Sequence, residues 1–287
     1  MLARCTAIVT LVAWCAQARG EAPIVGGRTA RAIGRAGVGT VSDDGGGAVM
    51  ANPAAIARRE GTRLQLGLSF IDDEMYWLAS QTAPAVRDQS SSRIVPMIAI
   101  EGAIKNWIVG IAAGTTVRNE RVLRRPGSIP PTQFRNSFEY RYTGLSGSIR
   151  RDTVALAGAH RLTDSIAIGL SLSTSRMSIT ESRRLWAGDI NRVVLGLPQP
   201  DRLGDPAHDV ELAMSATDNF VPSAVAGVLI APEDSRIELA ASVTWNAPAR
   251  VTGDIVSTNE ADQQLALPSV EDATARLEVE QPIVART

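Results

Sequence analysis

Apolar and polar residues alternate with a period of two along most of the chain after residue 62. One set of positions carries mainly Leu, Ile, Val, Phe and Trp, whereas the other carries mainly Gly, Ala, Ser and Thr. This alternation predicts β-strands that have one apolar face. The clearest runs cover residues 64–70, 166–173 and 237–245. Weaker runs cover residues 93–102, 106–117, 150–161, 221–231 and 272–283. The pattern predicts about eight strands, each near the ~9–11 residues of a tilted transmembrane strand.

The connections between these predicted strands alternate between long and short. The long ones cover residues 72–92, 118–149, 180–220 and 247–271, and the short ones cover residues 103–105, 162–164 and 232–234. Outer-membrane barrels have short periplasmic turns and longer outer loops. The pattern therefore predicts an all-β, antiparallel up-and-down transmembrane β-barrel with the long loops outside. The segment 135–149 leaves room for another strand, and a soluble β-sandwich with a buried apolar core is the alternative.

The two faces of the predicted strands and the aromatic residues fit a membrane-spanning wall. In the clearest strands no charged residue occupies the apolar face, where Arg at mid-bilayer would cost ~2–4 kcal/mol. The other face predicts a nearly neutral lumen lined by small side chains, which suits apolar cargo better than ions. Trp107 lies at a short turn, and aromatic residues beside the long loops predict a second interfacial girdle. These are Phe70, Tyr76, Trp77, Phe220 and Trp245.

The N-terminus has the pattern of a secretory signal peptide over residues 1–18. Arg4 supplies the positive charge, residues 5–16 form the apolar stretch, and an Ala-Gln-Ala cleavage site follows. Both cysteines, Cys5 and Cys15, lie in this segment, so we expect the exported protein to contain no disulfide. A buried N-terminal helix is the alternative for residues 5–16.

Residues 19–60 are dense in glycine and follow neither the helical nor the strand period. An exception occurs near the end of this segment. Asn52 at the N-cap, Pro53 at the first helical position and arginines in the last turn predict one short helix over residues 52–59.

The composition excludes several other classes of protein. The 287 residues include 29 Lys+Arg and 30 Asp+Glu, and the formal net charge of -1 gives no basic field for nucleic acid. A hydrophobic content of 45% argues against disorder. Beyond the first twenty residues, no stretch approaches the ~18 apolar residues that a membrane helix needs.

Sequence motifs for catalysis are weak throughout. The run from Gly144 to Gly147 resembles a nucleophile elbow around Ser146, but Ser148 replaces its closing glycine. His160 and His208 are the 2 histidines, which limits catalytic triads and metal sites. We interpret His160 as an interfacial residue. The glycine spacing over residues 34–39 follows no strand and begins no helix, so a phosphate loop is not expected.

Two charged clusters lie in predicted outer loops. Asp72, Asp73 and Glu74 could hold a divalent cation, but we prefer a solvated acidic turn. Four arginines could pair with lipid phosphates, and a solvated loop is the preferred alternative. They are Arg118, Arg121, Arg124 and Arg125. We predict neither an enzyme nor a cofactor or metal site.

The run GRAGVGTVSDDGGGAVMANPA over residues 34–54, followed by an alternating apolar strand, resembles a known family. It is similar to the N-terminal hatch and first strand of the outer-membrane FadL/TodX transporters of long-chain fatty acids and other hydrophobic compounds. The similarity continues to the chain end. It includes Val95-Pro96 before the strand at 107–110, residues 161–169, and the hairpin from Val221-Pro222 to Trp245.

The resemblance implies a fourteen-stranded barrel whose lumen is blocked by a hatch over residues 19–60. The hatch motif would be Asn52, Pro53 and Ala54, and the acidic pair and glycines of the hatch would be Asp43, Asp44, Gly45, Gly46 and Gly47. The resemblance further implies passive uptake, a shift of the hatch, and sideways exit of the cargo through a gap in the wall. We expect a monomer in the Gram-negative outer membrane, in contact with membrane lipids and lipopolysaccharide.

The chain departs from this family pattern in its number of strands. About eight strands fit, and the chain ends at Thr287 rather than at the terminal aromatic typical of bacterial barrels. An eight-stranded barrel is filled by its own side chains, which leaves no room for a hatch. We therefore expect residues 61–287 to be an incomplete barrel from a truncated gene product. The alternatives are a structural or adhesive barrel, a secreted soluble β-sandwich binding module, and an outer-membrane esterase.

Overall fold

The computed structural model describes residues 45–58, 61–73, 76–78, 85–123, 144–186, 209–232, 237–258, 273–280 and 284–286. Several features predicted from the sequence lie outside these ranges. They are the signal peptide, the glycine motif at 34–39, Asp43, Asp44, Glu74, Arg124, Arg125 and His208.

The described residues form two short helices and twelve strands. The helices are α1, Ala48–Ala51, and a 3₁₀ helix, Pro53–Arg58. No helix in the described part of the chain is long and apolar enough to cross a membrane. The strands are β1 Arg63–Ile71, β2 Tyr76–Trp77, β3 Val86–Arg87, β4 Arg93–Ile104, β5 Trp107–Val122, β6 Ser146–Thr163, β7 Ile166–Trp186, β8 Asp209–Ile230, β9 Leu239–Asn246, β10 Ala249–Thr258, β11 Ala273–Val279 and β12 Val284–Arg286.

Ten of the strands form one antiparallel sheet with up-and-down connectivity. The order is β1-β4-β5-β6-β7-β8-β10-β11, with β9 also paired to β8 and β12 paired to β9, while β2 and β3 pair separately. Two-residue turns connect β4 to β5 and β6 to β7, close to the predicted short connections. Within the described residues the sheet is open, because no pairing joins β1 to β11 or β12. The fold is a partial β-barrel, as predicted.

The two faces of the sheet differ in the way that the sequence pattern predicts. The outward side chains are large, apolar and exposed: Leu66 is 71% and Phe70 is 72% accessible. Many inward side chains are small and buried, such as Ala155, Ala157 and Ala159, although Arg93 and Glu101 of β4 are also buried on this face. A soluble sandwich would bury the large side chains between two sheets, so that alternative is wrong. Phe70, Phe220 and Trp245 lie on the outward face, at the ends of their strands or beside interruptions in them.

Strands β6, β7 and β8 are longer than the alternation predicts, with 18, 21 and 22 residues. They extend the wall into the predicted loops 118–149 and 180–220. Strand β10 likewise lies inside the predicted loop 247–271. In the outer part of β7 polar residues occupy both faces, as over residues 180–184. The period of two is lost there, although the backbone ladder between β7 and β8 continues.

The wall is interrupted where β9 ends and β10 begins. Strand β8 pairs with β9 on one side of Ala247 and Pro248, and with β10 on the other. Pro248 has no N–H to donate to a ladder. The Asp218 carboxylate replaces part of the ladder at this break. It accepts hydrogen bonds from the backbone N–H groups of Phe220 at 2.9 Å and Arg250 at 2.7 Å.

The outward face of β6 provides a test of membrane exposure. Leu156 lies near the middle of this face. We expect Leu156→Arg to lower the free energy of unfolding from phospholipid vesicles by about 2–4 kcal/mol, because a charge at that depth loses its hydration. The measurement is urea unfolding followed by tryptophan fluorescence. Leu162→Arg, beside the short turn, is the matched control and should cost about 0–1 kcal/mol. Equal losses at both positions would contradict the assignment.

Candidate functional site

Residues 45–58, called the lumenal segment below, lie against the inner face of the sheet. Both helices of this segment contact β5, β6 and β7, and the 3₁₀ helix also contacts β8. The segment includes six of the predicted site residues: Gly45, Gly46, Gly47, Asn52, Pro53 and Ala54. The structure therefore brings these residues together inside the partial barrel.

Asn52 shapes the local backbone of the segment. Its Oδ1 accepts the backbone N–H of Ala54 at 3.2 Å, and its carbonyl accepts the N–H of Ala55 at 3.0 Å. Pro53 occupies the first helical position, where its missing N–H removes no bond. The predicted short helix is present as a 3₁₀ helix that ends at Arg58. The preceding helix α1 is absent from the sequence prediction, because it follows directly on a glycine run.

Small side chains on the wall allow the lumenal segment to pack closely. Val49 and Ile56 are among the largest fully buried side chains of the described chain. They belong to one apolar cluster with alanines of four strands. These alanines are Ala99, Ala112, Ala155, Ala157, Ala159 and Ala167. Burial of this apolar surface stabilises the segment inside the barrel.

Three wall glycines, Gly110, Gly169 and Gly227, form what we call the glycine seat. A Cβ at Gly169 would overlap the backbone between Pro53 and Ala54, and a Cβ at Gly227 would overlap the side-chain amide of Asn52. A Cβ at Gly110 would lie 2.9 Å from a methyl group of Val49. The seat thus fits the segment only because these positions have no side chain.

Polar contacts hold the lumenal segment to the wall at several points along its length. The Gly46 N–H donates to Gln65 Oε1 at 2.6 Å. Asn52 Nδ2 donates to the carbonyl of Val228 at 3.4 Å, and Arg161 Nε donates to the carbonyl of Ala57 at 2.5 Å. Arg58 forms an ion pair with Glu238. Each contact stabilises the seated position by about 1 kcal/mol.

Sequence reasoning missed the wall side of this site. Gly110, Gly169, Gly227 and Arg161 all lie far along the chain from the residues they contact. The sequence contains one indication of this site, because Gly169 and the alanines lie on the small-residue face of predicted strands. That face indicates a close approach but does not identify what approaches.

The other predicted motifs form no reactive group where they fall within the described ranges. Ser146 begins strand β6 rather than following a strand at the start of a helix, so it is not a nucleophile elbow. His160 lies on the outward face, stacked on Trp107 with ring centroids 4.8 Å apart. Asp73 forms an ion pair with Arg93. Within the described ranges, no group of His, Cys, Asp and Glu could hold a metal ion.

A gap opens in the wall between β4 and β5. Their ladder ends at Met97 and Gly114, after which β4 pairs only with β1 and β5 pairs only with β6. A bulge between Thr115 and Val117 adds Thr116 to β5 and turns that strand away. Pro96, next to Met97 in β4, has no N–H to continue the ladder. We call this interruption the wall gap.

Side chains close the outer end of the wall gap. Arg118 Nη1 donates to the carbonyl of Ile94 at 2.9 Å, and Arg93 Nη1 donates to the carbonyl of Glu120 at 2.7 Å. Two guanidinium groups thus replace part of the missing ladder between β4 and β5. The gap itself remains bounded by Pro96, Gly114 and the bulge.

An open groove of about 710 Å³ lies at the wall gap. We call it the outer groove, because most of its lining side chains face outward. Its apolar part is formed by Leu66, Leu68, Pro96, Ile98 and Val154. Met97, Thr153 and Ser175 of the inner face also reach it. The groove can therefore accept an elongated apolar molecule beside the gap.

A family model described as "Outer membrane protein transport protein (OMPP1/FadL/TodX)" matches residues 9–282. The fold is similar to a FadL homologue of Pseudomonas aeruginosa, with a TM-score of 0.63 and 16% identity over 92% of this chain and 64% of that chain. It is similar to the toluene transporter TbuX of Ralstonia pickettii, with a TM-score of 0.59 and 16% identity over 88% and 64% of the two chains.

A third similar structure is the toluene transporter TodX of P. putida, with a TM-score of 0.58 and 11% identity over 88% of this chain and 62% of that chain. The chain thus spans less than two thirds of the length of these solved proteins. At these identities, the structural likeness shows the fold alone. Among curated proteins, no sequence matches the chain.

The glycine seat provides the second test. We expect Gly169→Ala to displace the lumenal segment, because overpacking costs about 1–3 kcal/mol. Hydrogen exchange at the amides of Ala54 and Ala55 should become about ten- to a hundredfold faster. Gly158→Ala on the outward face is the matched control, since its new Cβ would lie 4.0 Å from Trp107 and leave the seat unchanged. Undiminished protection in Gly169→Ala would contradict the close fit.

Proposed function

The chain belongs to the OMPP1/FadL/TodX family of outer membrane transport proteins, and we propose that it forms part of a passive channel for hydrophobic compounds. The family consists of transport proteins rather than enzymes. A concentration gradient is sufficient to drive such transport, so no residue is given a catalytic role. Removal of residues 1–18 during export is part of the proposal.

The observation that carries this proposal is the lumenal segment seated on small residues inside a wall with an apolar outer face. A structural or adhesive barrel has no need of a close-fitting segment across its interior. We assign residues 19–60 as a hatch, with Asn52, Pro53 and Ala54 as its motif. The polar contacts named above support this assignment, because each involves a side chain rather than two backbone groups, so the segment can shift without breaking the strand ladder.

We assign the wall gap as the lateral exit for the cargo. Transfer of an acyl chain from hydrocarbon to water costs roughly 0.8 kcal/mol per CH₂, so the entry of a sixteen-carbon fatty acid into the periplasm would cost about 12 kcal/mol. Exit into the membrane avoids this cost. The outer groove supports the assignment, because its apolar side chains lie beside the interruption in the β4–β5 ladder.

Long-chain fatty acids are the first candidate cargo. Arg151 occupies an inward position of β6, where its guanidinium donates to Asn246 Oδ1 at 3.3 Å. The hydroxyls of Thr153 and Ser175 are linked at 2.9 Å on the same face. A carboxylate could accept charge-assisted hydrogen bonds from this group. Monoaromatic hydrocarbons are the second candidate, because two of the similar structures are toluene transporters.

We propose that the protein is a monomer, with membrane lipids and lipopolysaccharide as its surroundings.

Deletion of Thr116 tests the exit. The deletion removes the extra residue of the bulge while every later residue of β5 keeps its partner on β6. We expect the ladder to straighten, the gap to close, and uptake of labelled oleate to fall at least about tenfold in cells that rely on this protein. Heat-dependent electrophoretic mobility monitors folding. Thr116→Ala keeps the bulge and loses the hydroxyl contacts to Thr153 and to the carbonyl of Arg151, so this control should transport normally. Full uptake by the folded deletion variant would exclude the gap as the exit.

Asn52→Asp tests the hatch. Aspartate keeps the N-cap to Ala54 but cannot donate to the carbonyl of Val228. Asn52 is fully buried, so an ionised aspartate loses this bond and also its hydration. The seated position should lose at least about 1 kcal/mol, and uptake should rise at least about fivefold if hatch movement limits the rate. Asn119→Asp, at an exposed position of β5, makes the same chemical change away from the segment. The assigned role is wrong if Asn52→Asp and this control transport equally.

A further inference from the structure

Three arginines gather on the outward face of the wall at the outer end of the apolar band. Strand register places Arg118 directly opposite Arg150, and Arg176 directly opposite Asp152. Directly paired residues share a face, and Arg150 and Asp152 continue the outward series of Val154 and Leu156. We call Arg118, Arg150 and Arg176 the arginine cluster.

The arginine cluster carries more positive charge than its contacts neutralise. Arg150 Nε lies 2.8 Å from Asp152 Oδ2, and Arg118 Nη2 lies 3.9 Å from Glu120 Oε2. Asp152 also accepts the Thr115 hydroxyl at 2.7 Å. Arg176 is exposed and forms no hydrogen bond or ion pair with any part of the chain that the structure describes. Like charges directly opposite each other destabilise a sheet, so an anion that binds both would relieve this repulsion.

The height of the cluster identifies the anion that it meets. On β6 the outward positions extend from His160, stacked on Trp107 near the short turn, to Arg150. At ~3.4 Å per residue and a strand tilt of ~40°, these two residues lie ~25 Å apart along the membrane normal, which matches the apolar band of outer-membrane barrels. Because the long connections lie outside, Arg150 reaches the headgroups of the outer leaflet.

The outer groove joins the arginine cluster to an apolar surface. Arg150 and Arg176 line it together with Leu66, Leu68 and Ile98. An acyl chain beneath a phosphate has this combination of charge and hydrophobicity. A carboxylate carries one charge, whereas a phosphate monoester carries nearly two and offers three acceptor oxygens for guanidinium groups.

We propose that the arginine cluster and the outer groove bind lipid A of lipopolysaccharide, with its phosphate on the arginines and an acyl chain in the groove. The inference rests on the outer-membrane placement of the family and not on the proposed transport. It revises the sequence interpretation of the arginines. Arg118 belongs to strand β5 rather than to a loop, and its partners in the cluster are Arg150 and Arg176.

The test uses protein purified from outer membranes in mild detergent. Wild type and the double variant Arg150→Gln, Arg176→Gln are titrated with lipid A, with dephosphorylated lipid A and with palmitate, and bound lipid is counted by native mass spectrometry. We expect the double variant to bind lipid A at least about tenfold more weakly. Arg250→Gln, an exposed arginine paired with Glu278 on another part of the wall, is the control and should bind as wild type.

Lipid A affinity that is unchanged in the folded double variant would overturn the proposal. The proposal is also wrong if the wild type binds dephosphorylated lipid A as tightly as lipid A. In that case the groove makes only an apolar contact with the acyl chain. If the double variant loses affinity for palmitate alone, the arginines bind the fatty-acid cargo and not lipid A, which contradicts the proposal. If the double variant does not fold, the wild type still decides the matter, because binding through phosphate must weaken as the salt concentration rises.

Discussion

The hydrogen-bond ladder between neighbouring strands is the constraint on which the rest of this structure depends. In hydrocarbon no water pairs with a backbone N–H or C=O group, so each strand must satisfy its neighbours. Where the ladder stops, other groups take over. Arg118 and Arg93 bridge the wall gap, and the Asp218 carboxylate bridges the break between β9 and β10. Interruptions in this wall are therefore stabilised features, and one of them coincides with the outer groove.

The second constraint is steric and acts on the inner face. The proposed hatch would have to block the lumen and yet shift, which requires a close fit in shape more than many strong bonds. The glycine seat provides this shape, because Gly169 and Gly227 admit the backbone at Pro53 and the amide of Asn52 where any side chain would overlap them. The sequence prediction of a nearly neutral lumen is wrong in part, because Arg93, Glu101 and Arg151 place charges on the inner face.

The outer face combines two environments along one strand. On β6, Leu156 and Val154 are apolar and exposed, whereas Arg150 and Asp152 carry charge at the height that we propose for the lipid headgroups. The outer groove crosses this boundary beside the wall gap. Cargo that leaves sideways and lipid that surrounds the barrel would consequently meet beside the wall gap. They differ in charge, because a carboxylate carries one negative charge and a phosphate monoester carries nearly two.

The sequence by itself determined the features that depend on near neighbours in the chain. The alternation of large and small residues specifies which face of β1 or β7 meets hydrocarbon, and Asn52 with Pro53 specifies a short helix, because both signals operate within a few residues. The outer parts of β6 to β8 and strand β10 escaped prediction, because polar residues on both faces remove the period while the ladder persists. Only the tertiary structure decided which groups meet across the wall. The contact of Asn52 with Gly227, the end of the ladder at Met97 and the pairing of Arg118 with Arg150 are set by strand register. A shift of one residue would move each of these side chains to the other face.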